Sequence, residues 1–230
     1  MNVLELFCGT KSVGKVCDKL GWDSVSVDLE KKFNPTHVCS IMDFDYKQYP
    51  QDYFSIVWAS PPCTNYSILQ NCNLGRMRKG VIYTKEIQEK EMLEDDKLVL
   101  KTLEIIKYFN PHYWFIENPA SSRMKDRPFM KDLNNYLVDY CMYSNWGYRK
   151  RTRIWTNRTD FEPKLCNGSG DCGNMIKNIH KSNCGNTERL QRAKHILESQ
   201  NGSNKNICKG TTQQDRYRIP EDLIFSLFLE

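Results

Sequence analysis

Apolar runs of four to seven residues punctuate the first two thirds of the chain, and each ends in polar or turn-forming residues. Val3-Leu4-Glu5-Leu6-Phe7, Ser24-Val25-Ser26-Val27, Phe54-Ser55-Ile56-Val57-Trp58-Ala59 and Tyr113-Trp114-Phe115-Ile116 read as strands, with a shorter one near His37-Val38-Cys39. The third and fourth show no alternation of polar and apolar positions. That predicts strands covered on both faces, as in a parallel sheet. Helical patterns fall between them. One follows Cys8–Gly14 and runs to Leu20. A second spans Thr84 to Tyr108, with apolar positions at Met92, Leu93, Val99, Leu100, Leu103, Ile106 and Phe109, and Asn110-Pro111 stops it. Leu137–Tyr143 and Arg149–Thr156 predict an antiparallel hairpin at the sheet edge. Pro220 opens a terminal helix, Glu221 to Leu229, with Leu223, Ile224, Leu227 and Phe228 on its apolar face. Strands alternating with helices define an α/β class. Asn71 to Lys79 reads as a mobile basic loop, Thr187 to Ser199 as a short basic helix, and 201–206 as a flexible loop.

Composition narrows the picture. At 230 residues there is room for one sizeable core and a small appendage. No apolar stretch is long enough to span a bilayer, and the first residues already look like a core strand rather than a leader, so a reducing compartment is expected. Ten cysteines in that setting suggest thiols, metal ligands or catalysis rather than a disulfide framework. A net charge of +5 permits a nucleic-acid partner without demanding one.

Candidate chemistry collects where the strands end. Ligands bind open α/β sheets outside the carboxyl ends of their strands. Pro61-Pro62 ends the third long strand, and Cys63 follows on a stiff turn. Cys63 is therefore a candidate nucleophile, although most free cysteines are small buried hydrophobes. Glu117 ends the fourth strand after four large apolar residues, and desolvation there favours its protonated form. Cys8-Gly9-Thr10 with Gly14 forms a glycine-containing turn between strand and helix. It suits close approach of a ligand to the backbone, or is an ordinary turn. Asp28 ends the second strand where an acid can accept hydrogen bonds from ribose hydroxyls, or is a solvated turn residue. Asp43-Phe44 could grip an adenine, or be turn residues. Arg151 and Arg153 alternate with Thr152, so they share a strand face and suit a phosphate, a carboxylate or a base carbonyl. A basic edge strand that discourages aggregation is the other reading.

As an ordered set these motifs resemble the DNA cytosine-C5 methyltransferases over roughly residues 1–157. Leu6-Phe7-Cys8-Gly9 with Gly14 resembles the first cofactor motif, Ser60-Pro61-Pro62-Cys63 the catalytic Pro-Cys loop, and Glu117-Asn118 the Glu-Asn motif, with Pro119 where many members have valine. Arg151-Thr152-Arg153 matches the Arg-x-Arg of a Gln-x-Arg-x-Arg motif, with Arg149 in the glutamine position. A closing Gly-Asn motif is not recognisable. The resemblance implies a Rossmann-like S-adenosylmethionine-dependent methyltransferase sheet with flanking helices, plus a small irregular C-terminal recognition region. It implies cofactor contacts from Phe7, Cys8, Gly9, Thr10, Asp28, Leu29, Asp43, Phe44 and Pro62. It assigns catalysis to Cys63, Glu117, Arg151 and Arg153. Cys63 would add to C6 of a cytosine flipped from double-stranded DNA, Glu117 would hold N3, Arg153 would hold O2, and Arg151 would support Cys63 and the adjacent phosphate. Only about 3% of an unperturbed thiol is ionised at pH 7, so Cys63 needs positive charge nearby.

The expected boundaries are a catalytic domain over 1–157, a recognition region over 158–212, and a C-terminal helix over 213–230 that packs back on the catalytic domain. Cys166, Cys172, His180 and Cys184, among turn-forming glycines, could hold a structural zinc, with Cys208 as a substitute ligand. The chain is expected to be a monomer, without membrane contact, cytoplasmic or nucleoid-associated, and to fit a restriction-modification, regulatory or defence-evasion role. An RNA cytosine methyltransferase on the same fold is a close variant. A catalytically silent module that binds nucleic acid or a partner is the alternative of a different class.

Overall fold

The computed structural model describes residues 1–176, 179–182 and 212–229. The chain divides into two compact units. The first comprises 1–136 and 153–159, and the second 137–152 and 160–230. This division differs from the boundaries expected at 157 and 212, because the segment 137–152 belongs to the second unit.

The strands are β1 (Asn2–Leu6), β2 (Asp23–Asp28), β3 (His37–Val38), β4 (Ile56–Ala59), β5 (Met77–Arg78), β6 (Val81–Ile82), β7 (Tyr113–Pro119), β8 (Asn135–Asp139), β9 (Arg151–Thr156), β10 (Met175–Ile176) and β11 (Ile179–His180). Seven of them form a mixed sheet in the order β3-β2-β1-β4-β7-β9-β8. The β3-β2-β1-β4-β7 part is parallel throughout. The register pairs Leu6 with Val27 on one side and with Ala59 on the other, and Ala59 with Ile116. The strand order reverses between β1 and β4, so the switch point, where such sheets bind ligands, lies between their carboxyl ends. At the far edge Thr156 N–H donates to Asn134 and Tyr140 N–H to Lys150. One residue number rises as its partner falls, as in an antiparallel pair.

The uninterrupted apolar runs are buried as expected. Ile56, Val57, Trp58, Ala59, Phe115 and Ile116 are fully covered. Helix α1 (Ser12–Leu20) buries Val13, Val16 and Cys17, and Gly21 closes it with a left-handed φ of 68°. Helix α2 (Lys85–Phe109) starts at Thr84, whose hydroxyl accepts from Ile87 N–H at 3.4 Å. Its buried face corrects the sequence expectation in part. Met92, Val99, Ile106 and Phe109 are core, but Leu93 and Leu100 are about half exposed while Asp95 and Asp96 are buried. The stretch 71–79 is also not a plain loop. A 3-10 turn over Ile68–Asn73 leads into the β5-β6 hairpin. Lys79 and Gly80 turn that hairpin with φ of 50° and 81°, the two left-handed residues a tight hairpin demands. Two further helices, α3 (Gln213–Tyr217) and α4 (Glu221–Leu229), end the chain, and α4 buries Leu223, Ile224, Leu227 and Phe228 as expected. The expected helix over Thr187–Ser199 and loop over 201–206 lie outside the described residues.

Candidate active site

In the first unit the turn after β1 is wound tightly. Phe7, Gly9 and Lys11 alternate in left-handed conformations, with φ of 56°, 46° and 55°. Two acids hold this turn. Asp28 at the end of β2 accepts Gly9 N–H at 2.9 Å with one oxygen and Glu30 N–H at 2.8 Å with the other. Glu5, inside β1, accepts Val13 N–H at 3.1 Å and Gly14 N–H at 3.0 Å, capping the α1 N-terminus from beneath. Burial pushes the Glu5 carboxyl up to about 7, against those two N–H donors and the charges of Lys11 and Lys15. Sequence reasoning passed over Glu5. Its signal was a carboxylate in the middle of an otherwise apolar strand.

Beside this turn, Leu29 leaves 71% of its surface exposed, an apolar face next to the Asp28 carboxylate. Asp43 is exposed, but Phe44 is only 3% exposed and joins the core, its ring 5.1 Å from that of His37. Of the pair suggested as an adenine grip, the acid is thus at the surface and the ring is packed in the core. Phe7, Cys8, Thr10 and Pro62 line the same sheet edge by position, at the ends of β1 and β4. Burial pushes the Cys8 thiol up to about 12, with Glu5 and Asp28 adding to the shift.

One strand away, β4 gives way to Ser60-Pro61-Pro62-Cys63 beside the end of β7. Asn118, 1% exposed, donates from its side chain to the Pro61 carbonyl at 2.9 Å. With Ala59 opposite Ile116, this bond fastens the turn that carries Cys63 to the strand end that carries Glu117. Cys63 is partly exposed, and Glu117 is 6% exposed. The residues after Cys63 are anchored by groups that the sequence did not single out. Tyr66 is fully buried and donates to Asp96 at 2.7 Å, and Asp96 is also paired with Arg127. The Tyr66 carbonyl accepts Arg123 N–H at 2.9 Å. Burial pushes the neighbouring Asp95 up to about 6, against hydrogen bonds from Asn65.

Arg153 bonds Asn135, and its Nε is buried with no acceptor among the described residues. Desolvation holds its guanidinium below the usual arginine range.

In the second unit Arg151 donates to both oxygens of the buried Asp139, at 3.0 and 2.7 Å, and Arg149 donates to one of them at 3.1 Å. Burial alone would raise Asp139. The bonds from Arg151, Cys166 N–H and Arg149 outweigh it and hold the carboxyl below its ordinary value. Arg149, which departs from the glutamine of the motif, thus shares its partner with Arg151. The same unit gathers Cys166, Cys172 and His180 as the sequence suggested. The fourth member of the cluster is Cys141, from the turn after β8, which the sequence did not suggest. Cys184 and Cys208 lie outside the described residues.

Sheet order, a left-handed glycine turn beneath a helix N-terminus, and an acid ending the second strand define the Rossmann-like fold of the S-adenosylmethionine-dependent methyltransferases. No family model matches the chain. It is, however, 38% identical over 230 residues to a protein of frog virus 3 (isolate Goorha) named "Probable DNA (cytosine-5)-methyltransferase", covering 99% of this chain and 98% of that one. The chain belongs to the DNA (cytosine-5)-methyltransferase family. Among solved structures it is similar to the Dnmt2 methyltransferase of S. pombe, with a TM-score of 0.44 and 14% identity over 72% of this chain and 51% of that one. It is also similar to a SAM-dependent methyltransferase from Archaeoglobus fulgidus, with a TM-score of 0.37 and 14% identity over 61% of this chain and 65% of that one. The chain spans about half the length of the first of these two and under two thirds of the second. Among the described residues no helix is long and apolar enough to cross a membrane.

Proposed function

We propose that this protein methylates C5 of cytosine in double-stranded DNA through a covalent bond between Cys63 and C6. The observation that carries the reading is the Asn118 to Pro61 bond, which ties the Cys63 turn to the end of β7 beside Glu117. A nucleophile and a buried acid at one sheet edge are what the reaction requires. C5 of cytosine is a weak nucleophile until a thiolate adds at C6.

The residues at the adjoining strand ends fit S-adenosylmethionine. Asp28 offers carboxylate lone pairs to ribose hydroxyls, Leu29 an apolar face to adenine, and the open turn at Gly9 a backbone approach to the amino-acid part. S-adenosylmethionine bound there supplies the methyl group. Cys63 forms the S–C6 bond as Glu117 holds a proton at N3. The C5–C6 electron pair becomes available at C5 for the new carbon–carbon bond. A solvent water then takes the C5 proton, the C5–C6 double bond re-forms as the Cys63 thiolate leaves, and N3 returns its proton to Glu117. Arg153 holds O2 of the base, which would give its buried Nε the acceptor it lacks among the described residues. The family resemblance assigns Arg151 to the phosphate beside the flipped nucleotide, and its side chain is 38% exposed although held by Asp139. The hairpin after Cys63 presents Arg76, Lys79, Met77 and Val81 to solvent, a mixed basic and apolar tip suited to a strand from which a base has been withdrawn.

The test is trapping on duplex DNA containing 5-fluorocytosine with S-adenosylmethionine. Fluorine at C5 cannot leave as a proton does, so the enzyme should remain attached to the DNA. The adduct should vanish in Cys63→Ala while cofactor binding is retained. An adduct that survives Cys63→Ala would overturn the role of Cys63. An adduct on RNA and none on varied DNA duplexes would overturn the substrate.

A further inference from the structure

We propose that Cys141, Cys166, Cys172 and His180 form a structural zinc site that organises the second unit, with Cys141 rather than Cys184 as the fourth ligand. The four ligand atoms lie within 4.8 Å of one another. The His180 Nε2 is 3.7 Å from the Cys166 sulfur and 3.6 Å from the Cys172 sulfur. A tetrahedral zinc with Zn–S of about 2.3 Å and Zn–N of about 2.05 Å has S···N edges of about 3.6 Å. These two edges have the length a zinc tetrahedron requires, and the wider spread of the four atoms would close by side-chain rotation on binding. None of the three cysteines is in a disulfide.

The chain is shaped to bring these groups together. Cys141 sits on the turn after β8, Cys166 on an extended segment, Cys172 among turns with left-handed Gly168, Gly170 and Gly173, and His180 on β11. Asn174 is 3% exposed and stitches the ligand-bearing turns. Its side-chain amide donates to the carbonyls of Cys141, Cys172 and Ser144 at 2.8, 3.0 and 2.7 Å, and its oxygen accepts Gly147 N–H at 3.0 Å. Asp139 accepts Cys166 N–H at 2.9 Å, fixing a second ligand. Such partners orient metal ligands in known sites.

Charge supports the same reading. Three thiolates and one divalent cation leave a single negative charge, and buried Asp139 adds another. Arg149 and Arg151 both bond Asp139, and Arg151 lies within electrostatic reach of Cys141 and Cys166. The two guanidiniums offset those two negative charges, while the Asp171 carboxylate, 3.9 Å from the Cys166 sulfur, adds a further negative charge beside the site. The metal would join the buried turn after β8 to the glycine-rich stretch 166–173 and to β11 around a single ion.

The test uses the full chain, purified under reducing conditions without chelator, with zinc measured by mass spectrometry and affinity measured by competition with a chromophoric chelator. About one equivalent of zinc is expected. Cys141→Ser should lower zinc affinity by more than about 100-fold, beyond what loss of a ligand-orienting partner does, and Asn174→Ala by about tenfold. Cys184→Ser should leave it unchanged. Should Cys141→Ser fail to fold, cobalt(II) exchanged into the unmodified chain gives an independent readout. The proposal requires the visible bands of a tetrahedral ion, with sulfur-to-metal charge transfer that grows in His180→Cys. Absence of bound zinc together with absence of a tetrahedral cobalt spectrum would overturn the site. Loss of metal in Cys184→Ser with retention in Cys141→Ser would overturn the ligand assignment.

Discussion

Single residues set the precision of the Cys63 turn. Tyr66, three positions on, is buried with its hydroxyl on Asp96, which in turn holds Arg127. Tyr66→Phe keeps the ring's packing but leaves one Asp96 oxygen without its donor. An unsatisfied buried acceptor costs about 1–3 kcal/mol. The expected outcome is a loss of that size in urea unfolding. Methyl transfer should slow while affinity for S-adenosylmethionine, proposed to bind at the β1 and β2 ends, stays constant. Equal losses in cofactor binding and turnover would mean that Tyr66 serves the whole unit rather than the turn. None of this was visible in the hydrophobic pattern, which put Leu93 and Leu100 on the buried face of α2. The pattern counts apolar residues, whereas Asp95 and Asp96 are buried because polar partners on another segment await them.

At the scale of elements, the strand ends were legible and the β5-β6 hairpin was not. Its residues, Met77-Arg78-Lys79-Gly80-Val81, carry the charge of a solvated loop. Only Gly80 marked a turn, and the strands are two residues each. The hairpin holds because Gly75 N–H donates to the Tyr83 carbonyl at 3.0 Å and Tyr83 N–H to the Arg76 carbonyl at 2.8 Å. The ring of Tyr83 also lies beneath the Arg78 guanidinium, 4.9 Å away. A Cβ at position 80 would meet nothing, so only the left-handed backbone opposes a side chain there. Gly80→Ala should therefore cost about 1–2 kcal/mol locally. Trypsin should cut several-fold faster at Arg76, Arg78 and Lys79, with the melting temperature of the chain little changed. An unchanged cleavage rate would show that the turn does not depend on the glycine.

At the scale of the molecule, two buried carboxylates set a dependence of stability on pH. Burial raises Glu5 from 4.5 to about 7 and Asp95 from 3.8 to about 6. Each acid keeps its proton to a higher pH when folded than when unfolded. Through these two groups the folded state binds more protons between about pH 4 and pH 7, and their share of the stability falls as pH rises through that window. The Glu5 share is about 3 kcal/mol, at about 1.4 kcal/mol per pH unit of displacement. Glu5→Gln removes that share. Its melting temperature should gain on that of the unmodified chain as pH rises from about 5 to about 7, whatever the fixed effect of the substitution. Parallel curves for the two proteins would show that Glu5 is ionised throughout.

The sequence by itself determined what depends on local pattern. Unbroken apolar runs gave buried parallel strands, and proline or polar pairs fixed where they stop. The stops placed Cys63, Glu117 and Asp28 at carboxyl ends, because in a parallel sheet every strand of the set points the same way. Only the tertiary structure decided which side chains meet across the chain. Asn118 reaches Pro61 at a separation of 57 residues, and Tyr66 reaches Asp96 at a separation of 30. Cys141 joins Cys166, Cys172 and His180 from a turn whose own sequence, Asp139-Tyr140-Cys141-Met142, has no metal-ligand spacing. Periodicity reports which face of an element is buried. It carries no record of the partner on another segment, and a buried polar group is specified by that partner alone.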